Sequence, residues 1–296
     1  MSWQSRIITL ITPVKLSIAF LIIYFGVFLA FIARYDFNPT SLIRFGHYYI
    51  EQNEELTPSG AIRFHGNEAN GGNGYDGQIF YYYARTMFIP GVWPDGFSNA
   101  YRAPRAGYPL IAGVFSIFGS HGVVAGMIAS QFMLILAGIL SIYYLLPDHK
   151  KYLSIFLLFS PFQLQSFLVL TSDSIVAGLI LCGAAVFFAR ELGRSEKYAP
   201  LAWFPFALAV LTKESSLFFL FPFGLYVFFK KDWKRSFVVL CSLIPFFAWQ
   251  FYLREAHGMI PAGVLKIFLS PLDGVIGTMK ELFFYLATFS LKPSFL

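Results

Sequence analysis

Charge is scarce in this chain. Only 13% of its 296 residues are Asp, Glu, Lys or Arg, about half the share of a water-soluble domain. That excludes a disordered segment, a coiled coil and an ordinary cytosolic enzyme. Cysteine is scarcer still: Cys182 and Cys241 both fall inside apolar runs, too few for a disulfide framework, and read as small buried or lipid-facing residues. The chain also lacks a P-loop, a GxGxxG on a strand and a Ser-His-Asp order. Gly71-Gly72-Asn73-Gly74 has no following Lys-Ser/Thr and reads as a turn. His47, His65, His121, His149 and His257 have no metal-ligand spacing, so no metal role is assigned. No cofactor is indicated, and a divalent cation stays open. There is no internal repeat or low-complexity tract.

Apolar residues fill the space instead: 57% of the chain is hydrophobic and 20% aromatic, with a mean hydropathy of +0.61. Such a chain is expected to fold in a bilayer, as an all-α, multi-pass bundle forming one integral membrane domain over residues 1–296. Lys15 and Arg34 enclose 18 uncharged residues, about the length that crosses a ~30 Å hydrocarbon core. This run is long for a signal-peptide core and no A-x-A site follows it, so it reads as a retained signal anchor. A polar, glycine-marked loop follows at 35–105, with seven acids, five arginines and no lysine; a connection of that length is expected to be functional. Gly107–Gly119 is short enough for a re-entrant or interfacial segment, and Ser120-His121-Gly122 separates it from a full span at Val123–Leu146. Further spans are expected at Tyr152–Leu170, Ile175–Ala189, Leu201–Leu211, Leu217–Phe229 and Phe237–Leu253.

The Leu201 and Leu217 pieces are either two short spans or one long tilted helix, and charge decides between them. With two crossings, the segments bearing Arg6 and Lys15, Lys150-Lys151, Arg190, Arg194 and Lys197, and Lys230 to Arg235 share one side. That side gathers 11 basic residues against four acids, which marks it as cytoplasmic. The net charge of +6 thus reports membrane orientation, and nucleic acid is not an expected partner. The expectation is seven crossings, a cytoplasmic N-terminus and an outer 35–105 loop. Beyond Arg254, Pro261, Pro271 and Pro293 punctuate the chain, and Leu282–Leu291 is too short to span, so an interfacial helix or an incomplete terminal element is expected there.

The same topology sends a sparser polar set outward: Asp36, Asp76, Arg102 and Arg105, then Thr171 to Ser174, Thr212 to Ser215, and Arg254, Glu255 and His257. Ionisable groups at a membrane boundary are costly and are functional candidates. Gly74-Tyr75-Asp76-Gly77-Gln78 places a carboxylate between glycines that let the backbone approach a ligand, ahead of a helical pattern at Ile79, Phe80, Tyr83 and Met87. Asp is also a favoured N-cap, and the two roles are compatible. Tyr101-Arg102-Ala103-Pro104-Arg105 puts two guanidiniums beside a rigid turn, suited to phosphate oxygens or to headgroup anchoring. Lys213 either reaches an outer phosphate or forms a self-contained pair with Glu214. Tyr75, Gln78, Tyr82 and their neighbours Tyr81 and Tyr83 either line a sugar or prenyl groove or belong to the interfacial aromatic belt.

These motifs, with Leu211-Thr212-Lys213-Glu214-Ser215-Ser216-Leu217 and the topology, resemble bacterial glycosyltransferases of the GT-C superfamily, and most closely the proteins of cell-surface glycopolymer formation. The resemblance runs over about residues 15 to 255. It implies a multi-pass enzyme of the bacterial cytoplasmic membrane. Such an enzyme takes sugar from a polyprenyl-phosphate donor among the membrane lipids and passes it to a cell-envelope acceptor outside. It also implies an acidic base in the first outer loop, a role that falls to Asp76 or Asp36, with Arg102, Arg105, Lys213 and Glu214, and Tyr75, Gln78 and Tyr82, around the substrate. The chain departs from the pattern in lacking a paired Asp-Asp or Asp-x-Asp and in being short. A transporter or flippase would show mid-span charges and repeated discontinuous helices, whereas an accessory subunit of envelope polysaccharide assembly would keep the fold and lose the role of the carboxylate.

Overall fold

The computed structural model describes residues 11–66, 74–189, 191–193 and 196–259. The expectations for Arg6, Gly71 to Asn73, Arg190, Arg194 and everything past Met259 fall outside them. The fold is almost wholly helical. Thr12 opens α1 (Pro13–Ile32), its Oγ1 accepting the Lys15 N–H at 3.3 Å, with Pro13 at the first helical position, where its missing N–H costs nothing. Leu16, Phe20 and Tyr24, four residues apart, are buried, while Ile18, Ile22 and Phe25 stand exposed. A helix that is apolar all round yet covered on one stripe only is solvated by hydrocarbon.

Among the described residues, three helical stretches are long and apolar enough to cross a membrane: Pro13–Tyr35, Gly107–Leu145 and Trp233–His257. The 35–105 segment packs as a cap of short elements: β1 (Phe45–Gly46), α2 (His47–Gln52), β2 (Arg63–Phe64), α3 (Asp76–Thr86) and α4 (Asn99–Arg102). β1 and β2 form one short parallel bridge, Phe45 opposite Arg63. Next come α5 (Gly107–Gly113) and, after a 3-10 turn, α6 (Gly119–Leu145). The break lies at Gly119, whose φ is 77°, one residue ahead of the expected Ser120-His121-Gly122.

The expected continuous span Tyr152–Leu170 is not found. In its place are a 3-10 turn at Asp148–Ser154, α7 (Ile155–Leu158) and α8 (Pro161–Leu168). Pro161 is the cause: it has no N–H to give the preceding turn, and it pushes Ser160 to an extended ψ of 115°. The remaining helices, α9 (Asp173–Phe187), α10 (Trp203–Thr212), α11 (Leu217–Phe229) and α12 (Trp233–His257), lie close to their expected positions.

Contacts fix which ends meet. α6 and α9 run parallel, Gln131 reaching Thr171 and Ser141 reaching Cys182. Between these contacts the backbones nearly touch: a Cβ on Gly178 would lie 2.3 Å from the Leu134 carbonyl oxygen, the close approach that small residues permit between apolar helices. α10 returns antiparallel, its Phe206 ring packed 5.7 Å from Phe187. One end therefore carries Ile11, Tyr143, Lys151, Glu191, Asp232 and Arg235. The opposite end carries the 35–105 cap with the turns at Thr171 and Lys213.

Candidate functional site

Asp76 is the first residue of α3. The extended Tyr75 stands as N-cap, its own N–H donated to the Arg44 carbonyl at 3.0 Å. Asp76 is therefore not the N-cap that its residue type allows, and no side chain caps this helix. Its carboxylate stays half-exposed, with Arg102 Nη1 3.9 Å from Oδ1. That separation is too long for a hydrogen bond, so among the described residues no side chain occupies the oxygen lone pairs, which lie beside a positive charge and at the positive end of a helix.

The start of α3 is wedged in place. A Cβ on Gly77 would lie 2.4 Å from the Val169 carbonyl oxygen and 2.9 Å from that of Ile43. Because both obstacles are backbone, Gly77→Ala is expected to cost about 1–3 kcal/mol, read as a lower unfolding midpoint in detergent. Val169, at the C-terminal end of α8, leads into a built turn. Leu170 has a φ of 45°, a strained conformation for a leucine. Buried polar groups hold it there: Gln131 Nε2 donates to the Thr171 carbonyl at 2.6 Å, Thr171 Oγ1 to Ser166 Oγ at 2.9 Å, and Ser174 Oγ to Gln131 Oε1.

Asp173 follows this turn as the first residue of α9. Its Oδ1 accepts from Lys213 Nζ at 2.6 Å, so Lys213 does not form the self-contained pair with Glu214. The reason is local: Lys213 is extended, at φ −158° and ψ 124°, and successive side chains of extended backbone leave on opposite sides. Glu214 turns to Arg105, whose Nε lies 3.2 Å from Oε2 and Nη2 3.2 Å from Oε1. Burial alone would lower the Arg105 pKa, but Glu214 outweighs it and raises it, so the guanidinium keeps its charge. Tyr101 lies between the two arginines, its ring 5.0 Å from Arg102 and 4.8 Å from Arg105, with its hydroxyl accepting from Arg105 at 3.2 Å. Trp249 Nε1 donates to the Ala103 carbonyl at 2.8 Å, pinning the turn to α12.

Three stretches thus place Asp76, Arg102 and Arg105, and Lys213 and Glu214 at one end of the bundle. Tyr75 stands exposed next to Asp76. Gln78 and Tyr82 do not join this surface. Gln78 is buried and accepts the Gly46 N–H at 2.8 Å. Tyr82 is fully buried against Phe45, shares a 2.8 Å hydrogen bond with Thr57, and has its phenol pushed up to about 12 by burial. Both are structural, lying four residues apart on the face of α3 covered by the cap. Asp36 closes the 3-10 turn after α1 in a left-handed conformation. Among the described residues its side chain makes no hydrogen bond or ion pair. The reading of residues singly missed the Asp173–Lys213 pairing; its only signal was that both residues fall in turns on the same expected side.

An apolar groove of about 800 Å³ reaches this end, between α11 and α12, lined by Leu217, Phe221, Leu225, Val239, Leu243 and Phe247, with Glu214 the one charged lining residue among those described. Among the described residues no group of three or more His, Cys, Asp and Glu could hold a metal ion. Comparison with protein-family models, with curated proteins and with solved structures gives no match.

Proposed function

We propose that the chain is a membrane glycosyltransferase of the GT-C type, moving a sugar from a polyprenyl-phosphate donor to a cell-envelope acceptor on the outer side of a bacterial cytoplasmic membrane. The observation that carries this reading is the pairing of a half-exposed Asp76 with Arg102, beside Arg105, whose partner Glu214 lines an apolar groove. Seven crossings result when α7–α8 and the shorter α9, α10 and α11 are counted as passes beside the three long stretches. The positive-inside rule then places the N-terminus in the cytoplasm.

In this reading the prenyl tail lies in the groove and the donor phosphate meets Arg105, Lys213 and Arg102. The acceptor oxygen attacks the anomeric carbon while Asp76 takes its proton. The bond from the anomeric carbon to the phosphate oxygen breaks, the electron pair leaves with the polyprenyl phosphate, and the cations stabilise that charge. Attack opposite the leaving group inverts the anomeric configuration.

The test is reconstitution into liposomes with a panel of polyprenyl-phosphate sugars and envelope glycan acceptors, product being read by mass spectrometry. At least one donor is expected to be consumed; transfer from none would favour the accessory-subunit reading. Orientation has its own check. In a background without Cys182 and Cys241, single cysteines at Asp76 and Lys213 are expected to react with an impermeant maleimide from one side, and one at Lys234 from the other.

A further inference from the structure

A second cavity lies against the same end of the bundle. It measures about 250 Å³ and is walled by Tyr83 and Thr86 of α3, Val92 and Trp93 of the following connection, and Trp249 and Tyr252 of α12. The rings form a connected set: Tyr83 and Trp93 are 6.1 Å apart, Trp249 and Tyr252 5.3 Å, and His257 stands edge-on to both Trp93 and Tyr252 at 5.1 and 5.2 Å. Its polar equipment is sparse. Tyr252 Oη is 3.1 Å from His257 Nε2, and Tyr83 Oη donates to Asn99 Oδ1. The Trp93 indole N–H is buried without a partner among the described residues. A buried donor left unsatisfied costs about 1–3 kcal/mol.

Among the described residues the lining includes no Lys, Arg, Asp or Glu, and none of them would hold a phosphate. Tyr83 also lines the narrow crevice that contains Arg102 and Arg105, so one phenol ring separates the aromatic cavity from the cations. An apolar face with a polar edge suits Trp and Tyr, and a pyranose ring has that character, with C–H bonds on its faces and hydroxyls around its rim.

Resting on the proposed glycosyl transfer, we infer that this cavity is the acceptor subsite: it takes an uncharged sugar ring of the acceptor glycan, stacked on Trp93 and Tyr252, and presents its hydroxyl past Tyr83 toward Asp76. The experiment reads binding without transfer. The full chain in detergent micelles is titrated with methyl glycosides of common hexoses and with the matching hexose 1-phosphates, followed by saturation-transfer NMR.

At least one methyl glycoside is expected to bind, with its 1-phosphate no tighter, and Trp93→Ala and Tyr252→Ala are each expected to weaken that binding about tenfold, as truncation of an aromatic anchor does. Tyr252 is partly exposed and sits on a different element from Trp93, so its truncation serves if Trp93→Ala does not fold. Absence of binding by every glycoside, binding by the 1-phosphates alone, or a signal unchanged in the variants overturns the subsite. None of these outcomes depends on whether wild-type protein transfers sugar from a lipid donor. Failure of the subsite and failure of the glycosyltransferase reading are therefore separate results.

Discussion

Replacing Asp76 by asparagine is expected to lower sugar transfer by about 10²- to 10⁴-fold, the range attributable to a positioned general base, with little change in folding. The asymmetry follows from the geometry. Asparagine fills the same volume but cannot accept a proton at neutral pH. The Asp76–Arg102 pair is half-exposed at 3.9 Å, and a pair of that kind contributes about 0–1 kcal/mol to stability. Asp36→Asn is the companion variant, and it is expected to keep the wild-type rate because its carboxylate pairs with none of these cations. Initial rates in liposomes for the three proteins decide the matter. A full rate in Asp76→Asn removes this carboxylate from the mechanism, and a loss confined to Asp36→Asn transfers the role.

The largest effect on stability is expected at Arg105 and Glu214. Their side chains are 16% and 10% exposed, so both charges are mostly withdrawn from water and depend on each other. Glu214→Ala strands a desolvated guanidinium, at a cost of about 2–4 kcal/mol, toward the lower end of the range for breaking buried pairs. The double variant Arg105→Met with Glu214→Leu removes both charges and fills the space, and it is expected to recover most of that stability while losing transfer. Thermal unfolding of the single and double variants in one detergent makes the comparison; equal destabilisation would mean that no stranded charge is involved. The Lys213–Asp173 pair, 33% and 58% exposed, should show no comparable penalty.

The helices were legible where hydropathy alone determines them: α1, α6, α9, α11 and α12 follow the long apolar runs. Hydropathy failed at Pro161 because apolar content averages over a window, whereas a missing N–H acts at one residue. α3 was legible as a helix but not in its orientation. Its Ile79 and Tyr83 pack with Ala103 and Leu253, while Gln78 and Tyr82 are buried under the cap at Gly46 and Thr57. Periodicity reports that a face is apolar, and it cannot say that a distant segment will cover the polar face as well. Charge patterning placed Asp76, Arg102, Arg105, Lys213 and Glu214 on one side. The partners were out of reach, because Arg105 and Glu214 stand 109 residues apart and the direction of each side chain depends on a single extended residue at Lys213.

The three cations at the capped end of the bundle arrive already matched, Arg102 with Asp76, Arg105 with Glu214 and Lys213 with Asp173. Locally the charges sum to nothing, so a dissolved anion finds no surplus potential to draw it in. To displace an internal carboxylate a newcomer must bring more than its own charge. An amphiphile does so by surrendering its hydrocarbon to the bilayer side at about 0.8 kcal/mol per methylene. In the proposed transfer reaction, discrimination between membrane-borne and free phosphates is thereby set before any ligand arrives, by the occupancy of the cations themselves.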